Sequence, residues 1–497
     1  MIRAFKIKPL LLSSAVFFLM IGEMATGTSL LFIVMMAVTI LSIGVTYNYL
    51  GGLSTLSGWL FIEFALRTIV ISQFAKVALF EAADKNLEMP QLTISAYAVF
   101  YLSLMVGVFI FAKIRLPLPK PLEPRSITQA RLLYLIALSI GMVATFVYES
   151  HSYAYGSVQT YGTARSMGLA FSPLLLFSLV VAVDSRIRVT GGKHSFDLAV
   201  MIPWIAATLS GFVDTVREQM IAPTIIYFAA CYLRGYHFRK RHYIILALNI
   251  AFFILFIAPL ELYTRDFIRD QPLEERAYWA FHILALHHDP VELHNAAEES
   301  VDLESGRRSE YFSRPGTFLL SRLSLIRADS NVISACTGGF HYGLAPTMIE
   351  LQTSIPTFLY KNKPRYTSGP DYIGRVSGVS EDVEGTTYPA ISAVGDSYGA
   401  FGWLGVILFP LLCIPALFIV LESVFDWNKP WGTVAFGTCF LMFGEMTVMR
   451  YIPLIVRVPL IMVPLSYLIG GLVKMIPTKG DREVGLGPKY HKLITEE

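Results

Sequence analysis

Twelve runs of mainly apolar residues recur along this chain of 497 residues, and most approach the length that crosses a lipid bilayer. A spanning helix needs about 20 such residues, since each residue advances the helix by only about 1.5 Å. Charged residues make up 15% of the chain, against about 25% in a typical soluble domain, so little of its surface can face water. We therefore predict an all-α polytopic membrane protein with about 12 transmembrane helices. The predicted spans are residues 9–25, 29–47, 57–80, 92–113, 131–149, 168–184, 197–213, 219–234, 243–261, 400–424, 432–449 and 452–474.

The lysines and arginines of the short loops predict which side of the membrane each loop occupies. They gather before the first span and after spans four, six, eight and twelve, and short cytoplasmic loops are the ones enriched in these residues. Both termini are therefore predicted to be cytoplasmic, with the bacterial inner membrane as the expected location. The residues concerned are Arg3, Lys6, Lys8, Lys113, Arg115, Lys120, Arg125, Arg186, Arg188, Lys193, Arg234, Arg239, Lys240, Arg241, Lys474, Lys479 and Arg482.

The connection between spans nine and ten, residues 262–399, is predicted to lie outside the cytoplasm. It is too long for a passive loop, because structureless connections of this size are uncommon in compact domains. It carries acidic runs, arginines and amphipathic pieces, so we predict a mostly helical extracytoplasmic loop domain. The predicted organisation is 1–261 for spans one to nine, 262–399 for the outer domain, 400–475 for spans ten to twelve and 476–497 for a cytoplasmic tail.

Composition argues against several classes of partner. No stretch of lysines and arginines carries the interleaved aromatics typical of nucleic-acid binding, so nucleic acid is not an expected partner. Cys336 is the only cysteine in the predicted outer domain, which therefore cannot hold its own disulfide. His287 and His288 would point in different directions on a helix, so their cluster with His282 is a weak metal candidate. We predict no metal and no cofactor.

Several arginines fall on the predicted outer side, near the membrane surface. Short outer loops normally lack basic residues, so Arg165 and Arg217 need a reason to be there. A guanidinium keeps its charge and binds phosphate oxygens through two parallel hydrogen bonds, which indicates a diphosphate clamp for a lipid-linked substrate. For Arg217 the alternative is an ion pair with Asp214 or Glu218. The predicted diphosphate-binding residues are Arg165, Arg217, Arg322, Arg365 and Arg450.

Charged residues also occur inside the third predicted span. Ions within a membrane are expensive and are often functional. Glu63 and Arg67 are four residues apart, so an ion pair on one helix face is the favoured interpretation. Lys76 is a further charged residue of the same span.

His341 lies in the glycine-rich run 338–343 and is a candidate general base, because histidine titrates near neutral pH. An ordinary turn histidine is the alternative. A thiol nucleophile formed by Cys336 with His341 is a third interpretation, which lacks an evident activating partner.

Residues 388–406 lead into the tenth predicted span through a short motif, in which an acidic residue and a tyrosine precede a Phe-Gly-x-x-Gly turn. The residues of this motif are Asp396, Tyr398, Phe401, Gly402 and Gly405. The motif resembles the end of the large outer loop in Wzy-type O-antigen and exopolysaccharide polymerases. Pro356 and Pro364, upstream of the motif, and Arg217 also resemble features of that family. The layout of many helices with one late outer loop extends the resemblance over nearly the whole chain.

The resemblance implies a GT-C-like glycosyltransferase that joins undecaprenyl-diphosphate-linked oligosaccharide repeat units into a surface polysaccharide. Diphosphate is a good leaving group, so what the reaction needs is positive charge where negative charge develops, and arginines supply it without a metal. Asp396 and His341 are the candidates that take the proton from the acceptor hydroxyl, although Asp396 has the alternative of positioning sugar hydroxyls or an arginine. Tyr398 is a candidate saccharide contact.

The partners implied are the lipid-linked oligosaccharide and membrane lipid, with a chain-length regulator and a flippase as further candidates. Three other functions stay open. An O-antigen ligase shares the layout and the donor and differs in its acceptor. A transporter of lipid-linked oligosaccharides would normally show internal repeats and helices interrupted near the bilayer midplane, and the sequence shows no repeat. An envelope scaffold predicts no arginines gathered around a pocket.

Overall fold

The computed structural model describes residues 6–124, 126–150, 163–213, 217–257, 273–286, 311–313, 320, 323–355, 360, 391–440 and 448–474. These residues form helices and the turns between them, and no strand occurs among them. The helices up to residue 252 are α1 Pro9–Ala25, α2 Leu30–Tyr49, α3 Leu56–Ala65, α4 Ile71–Ala78, α5 Pro90–Phe111, α6 Ile127–Ser150, α7 Thr163–Phe171, α8 Pro173–Val189, α9 Leu198–Val213, α10 Arg217–Leu233 and α11 Lys240–Phe252. The later helices are α12 Leu273–Leu286, α13 Ile326–Cys336, α14 Ala345–Ser354, α15 Ala393–Leu408, α16 Ile414–Val424, α17 Pro430–Phe440 and α18 Val448–Lys474.

The membrane character predicted from the apolar runs has a structural counterpart in the helices themselves. Among the described residues, five helical stretches are long and apolar enough to cross a bilayer. They are Leu30–Tyr49, Pro90–Phe111, Ile127–Ser150, Met167–Val189 and Ala393–Val424. Shorter apolar helices accompany them at Pro9–Ala25, Leu198–Val213, Gln219–Leu233 and Pro459–Val473. The all-helical architecture is thus confirmed for the described part of the chain, whose apolar helices are those of a membrane protein, and a helix overlaps each predicted span.

Close helix packing depends on residues without side chains. A Cβ atom on Gly107 of α5 would lie 2.4 Å from the carbonyl oxygen of Leu411. A Cβ on Gly141 of α6 would lie 2.4 Å from the backbone nitrogen of Leu175 in α8. Apolar helices in a membrane gain little from burying apolar surface against each other, so close van der Waals contact at small residues is what holds them together.

The third predicted span is a helix with a wider turn in its middle. A π-helical turn, Leu66–Val70, joins α3 to α4. Such a turn changes the hydrogen-bonding register of the helix and is often found at functional sites. The carbonyl of Arg67, inside this turn, accepts a hydrogen bond of 3.3 Å from the backbone nitrogen of Leu325. The turn therefore attaches the segment just before α13 to the helical bundle.

Helix α15 begins at Ala393, seven residues before the predicted start of span ten at residue 400. Ser392 caps it, because its side-chain oxygen accepts a 3.0 Å hydrogen bond from the nitrogen of Val394. The early start places Asp396 and Tyr398 within the helix instead of before it. A further π-helical turn, Phe409–Cys413, joins α15 to α16.

Candidate functional site

The Phe-Gly-x-x-Gly motif interrupts α15. Phe401 has φ −143° and ψ 22°, and Gly402 has φ 57° and ψ −137°, so both leave the helical conformation. The conformation of Gly402 is one that residues with a Cβ rarely adopt. The carbonyls of Gly399 and Ala400 accept hydrogen bonds from the nitrogens of Tyr342, at 3.3 Å, and Gly343, at 3.1 Å. The interruption is thus the place where the turn 341–343, the end of the glycine-rich run 338–343, packs on the helix.

Two glycines of α15 make room for this turn. A Cβ on Gly399 would lie 2.4 Å from Cε1 of Tyr342, and a Cβ on Gly402 would lie 3.3 Å from Nε2 of His341. The first distance is far shorter than any ordinary carbon contact, so a larger residue at 399 would displace the tyrosine ring. The side chains of His341 and Tyr342 therefore pack on the glycines at the break of α15.

Asp396 is buried, with 1% of its surface exposed. The hydroxyl of Tyr342 lies 2.6 Å from its Oδ1 and 2.5 Å from its backbone oxygen. A buried carboxylate needs hydrogen-bond donors to offset the water it has lost, and Tyr342 is one. Asp396 is therefore fixed behind the docked turn.

His341, in contrast, is exposed. Its Nδ1 lies 3.4 Å from the carbonyl oxygen of Gly399. A neutral imidazole that donates through Nδ1 carries its lone pair on Nε2, the nitrogen that a general base uses. The structure thus separates the two predicted proton acceptors: His341 can meet a substrate, whereas Asp396 supports the turn that carries it.

Tyr398 packs against the ring of His341. Its ring is 7% exposed and lies edge-on to His341, with 6.2 Å between ring centroids. The ring of Trp403 lies 5.8 Å from that of Tyr398 between centroids, also edge-on. Tyr398 is thus mostly buried, and the saccharide contact stays a prediction.

A buried carboxylate that sequence analysis missed lies at the start of the same helix. Asp329, on α13, has no exposed surface. Its Oδ1 accepts a 2.8 Å hydrogen bond from the nitrogen of Ser392, and its Oδ2 lies 2.5 Å from the hydroxyls of Ser392 and Tyr97. The nitrogen of Gly395 donates to it as well. Burial raises the pKa of Asp329 to about 6, although these hydrogen bonds act to lower it.

The sequence did contain a signal for Asp329. The buried residues of α13 recur at helical spacing, and Asp329 stands on this otherwise largely apolar face. They are Ile326, Asp329, Ser330, Val332, Ile333 and Cys336. An acidic residue in the apolar stripe of an amphipathic helix needs buried hydrogen-bond donors. The sequence pattern of α13 therefore predicts a hydrogen-bonded, buried carboxylate at position 329.

The predicted diphosphate-binding arginines fall outside what the structure describes. Arg322 and Arg365 lie outside the described residues. Arg165, Arg217 and Arg450 lie in α7, α10 and α18, and their side chains fall outside the description. The same holds for other residues named in the sequence analysis. The structure does not describe Asp214, His287 and His288, nor the side chain of Glu218. The diphosphate clamp therefore stays a prediction.

Arg67 and Arg276, whose side chains are described, each form an ion pair with a poorly exposed glutamate. Arg67 lies 3.6 Å from Glu63, which confirms the predicted pair within the third span. Arg276, on α12, is 3% exposed; its Nη2 donates a 2.6 Å hydrogen bond to the backbone oxygen of Glu149 at the end of α6. Its Nη1 also lies 3.8 Å from the Glu149 carboxylate. Arg276 was not singled out from the sequence, and it attaches α12 to the bundle.

The interpretations based on cysteine and on metal gain no support. Cys336 is 2% exposed, and burial raises the pKa of its thiol to about 11, so it is protonated at neutral pH. A protonated buried thiol is a poor nucleophile. His282 stacks on Tyr278, with 5.2 Å between ring centroids. Among the described residues, no group of three or more histidine, cysteine or acidic side chains could hold a metal ion.

Comparison with known proteins adds no relative: no family model, no curated protein and no solved structure matches the chain. The arguments about function therefore rest on the residues and geometry described above.

Proposed function

We propose that this chain is a metal-independent glycosyltransferase that polymerises undecaprenyl-diphosphate-linked oligosaccharide repeat units. The observation that carries the proposal is the pairing of the exposed His341 with the buried Asp396 through Tyr342, at a break in an apolar helix. The residues involved are the motif that resembles Wzy-type polymerases and the glycine-rich turn docked on it. A proton acceptor thus lies beside a helix that is long and apolar enough to meet lipid.

In the proposed reaction, Nε2 of His341 takes the proton from a hydroxyl of the acceptor sugar. That oxygen attacks C1 of the donor sugar, the C1–O bond to the diphosphate breaks, and undecaprenyl diphosphate leaves with the bonding electron pair. The predicted arginines Arg165, Arg217, Arg322, Arg365 and Arg450 stabilise the charge on the leaving diphosphate. Asp396 keeps His341 in place by holding the neighbouring Tyr342.

The proposal includes the finer topology: twelve spans in a GT-C-like arrangement, both termini in the cytoplasm and residues 262–399 on the outer face of a bacterial inner membrane. The distribution of basic residues in short loops supports it. On that face the donor's diphosphate lies at headgroup level. A flippase that delivers the donor and a regulator of chain length are the proposed protein partners.

The test is the surface polysaccharide of a deletion strain complemented with the wild-type chain, with His341→Gln, or with His194→Gln. His194 is also exposed and lies after α8, away from the proposed site, so it is the matched control. We expect long chains with the wild type and His194→Gln, and mainly single repeat units with His341→Gln. Long chains from His341→Gln at normal protein level would contradict the role given to the histidine.

A transporter of lipid-linked oligosaccharides is the second candidate, because a specific observation favours it. The stretch Ala393–Val424 is apolar and is interrupted at Phe401 and Gly402, and interrupted membrane helices often bind substrate in transporters. Purified protein mixed with lipid-linked repeat units from the deletion strain separates the two. A polymerase lengthens the saccharide without a membrane potential or a second compartment, whereas a transporter leaves its length unchanged. In cells, an O-antigen ligase differs from both, since its loss leaves long polymer that is not attached to its acceptor.

A further inference from the structure

The start of α15 is held against α13 through one carboxylate. Asp329 accepts hydrogen bonds from Ser392, the capping residue, and from the nitrogen of Gly395 in the first turn. The free N–H groups and the dipole at this end of the helix offset part of the cost of burying the carboxylate, because both are directed towards it. Asp329 therefore fixes where α15 begins.

The contact also fixes the rotation of the helix. A Cβ on Gly395 would lie 2.5 Å from Oδ1 of Asp329, so the carboxylate approaches the helix at a place that only glycine leaves open. Asp396 is the next residue, and its nitrogen donates a 3.0 Å hydrogen bond to the carbonyl of Ser392. Because Asp396 follows this fixed contact directly, the direction of its Cα–Cβ bond relative to α13 is set as well.

The same chain segment returns to α15 a second time. After α13 ends at Cys336, the turn 341–343 docks at the helix break and Tyr342 reaches Asp396. The segment from Asp329 to Tyr342 is therefore hydrogen-bonded to α15 at two places, at its start and next to its break. A third element joins at the first of these places, since the hydroxyl of Tyr97 on α5 also lies 2.5 Å from Asp329.

We propose that Asp329 is a positioning residue for the candidate site: by holding the start of α15 against α13, it sets the alignment of Asp396 with Tyr342 and of His341 beside the helix break. The inference rests on the proposed function only for its effect on catalysis. Its structural part, that the docking of the turn 341–343 depends on Asp329, holds whatever reaction the site performs.

The neighbouring Ser330 offers a matched control. It is buried on the same helix, and its hydroxyl accepts hydrogen bonds from Thr93, at 3.0 Å, and from the nitrogen of Met89, at 3.4 Å. Ser330 thus ties α13 to the start of α5 and makes none of the contacts to α15 described above. Ser330→Ala loosens α13 from the bundle without releasing α15.

The experiment is hydrogen–deuterium exchange of the full-length protein in nanodiscs, with the variants Asp329→Ala, Asp329→Asn, Ser392→Ala and Ser330→Ala. In Asp329→Ala we expect the amides of residues 341–344 and 391–400 to exchange at least about tenfold faster, since their hydrogen bonds depend on the docked arrangement. Asp329→Asn keeps one acceptor oxygen and should fall between Asp329→Ala and the wild type. Ser392→Ala removes the hydrogen bond from the Ser392 hydroxyl to Asp329 and should also speed exchange in these two segments. Exchange in α6 and α8 should stay unchanged in all of them.

Polymerisation of lipid-linked repeat units extracted from the deletion strain is measured on the same preparations. We expect Asp329→Ala to lower kcat by about tenfold or more with little change in KM for the donor, as misplacement of a catalytic group does. Ser330→Ala should stay within about twofold of the wild type in both constants.

The outcomes separate the two claims. If the wild type makes no polymer, the proposed function fails, and the exchange data still decide on positioning. If exchange at 341–344 is the same in Asp329→Ala as in Ser330→Ala, the positioning role is wrong even when the enzyme is active. Faster exchange throughout the molecule in every Asp329 and Ser392 variant would show a general structural role and would overturn the inference as well.

Discussion

The hydroxyl of Tyr342 lies 2.6 Å from Oδ1 of Asp396, across the contact between the glycine-rich turn and α15. Neither residue is close to the other in sequence, yet each needs the other. The aspartate is buried and needs donors, and the tyrosine enters a space that Gly399 leaves empty. This hydrogen bond joins the two halves of the candidate site.

Removing the hydroxyl should weaken both stability and activity. In Tyr342→Phe the buried carboxylate loses a donor, which we expect to cost about 1–3 kcal/mol of unfolding free energy. The melting temperature of the purified protein measures the stability, and the length distribution of the polysaccharide measures the activity. Tyr243→Phe, at a tyrosine that is 61% exposed, should change neither. Equal melting temperatures for the two variants would argue against a stabilising role of the hydrogen bond.

The helix break should not tolerate a side chain. Gly402→Ala places a Cβ in a backbone conformation that costs about 1–3 kcal/mol for residues other than glycine. It also brings that Cβ to 3.3 Å from Nε2 of His341. Gly471→Ala is the control, because it lies in α18 with no neighbouring atom within 4 Å of the added Cβ. Gly471→Ala should be neutral or slightly stabilising, since alanine favours helix over glycine. Thermal unfolding of the two variants tests this contrast.

The pH dependence of stability should contain a contribution from Asp329. The folded protein raises its pKa from 3.8 to about 6, so between these values the folded state binds a proton that the unfolded state has lost. Stability therefore falls as the pH rises through this window, by about 3 kcal/mol in total from this group. Asp329→Asn cannot titrate, so the difference in unfolding free energy between wild type and variant should change between pH 4 and pH 7. Ser330→Ala, which removes no titrating group, should leave that pH dependence as in the wild type.

The ion pair in the third span should behave as a unit. Glu63→Gln leaves the guanidinium of Arg67 without its acidic neighbour in a poorly exposed place, which we expect to cost about 3–5 kcal/mol. The double variant Glu63→Gln, Arg67→Gln should recover part of this loss. A double-mutant cycle on melting temperature and expression level measures the coupling. Additive effects would show that the two side chains act separately.

The predicted arginine clamp gives the sharpest test of the reaction. Arg217→Ala and Arg322→Ala should abolish long-chain polysaccharide at unchanged protein level, because the leaving diphosphate loses its positive counterpart. Arg239→Ala, at an exposed arginine in the short connection before α11, should leave chain length normal. Normal chains from both Arg217→Ala and Arg322→Ala would favour structural ion pairs at these positions.

The apolar runs predicted the helices well, because a membrane span imposes a length and a composition that a sequence displays directly. The Glu63–Arg67 pair followed from helical spacing alone. Helix α15 begins seven residues before the predicted span, although Gly395, Asp396 and Ser397 are poor helix formers. Their helix is supported by Asp329, which lies more than 60 residues earlier in the chain, a contact that local sequence does not reveal.

The candidate site was predicted in part. Asp396, His341 and the Phe-Gly-x-x-Gly motif were singled out, and the structure brings them together around Tyr342. That Gly399 would admit a tyrosine ring, and that one proton acceptor would be buried and the other exposed, depended on how the turn 341–343 docks. Docking of this kind is set by backbone hydrogen bonds between distant residues, for which sequence patterns carry little information.

The break in α15 has a consequence for how the protein is made. Its carbonyls at Gly399 and Ala400 find donors in the turn 341–343, and backbone groups without donors in hydrocarbon cost several kcal/mol each. The ribosome synthesises that turn some 60 residues before it reaches the helix. The donors for these two carbonyls are thus already synthesised when the interrupted helix follows them, and the order of the chain makes the partner of the break available before the break itself.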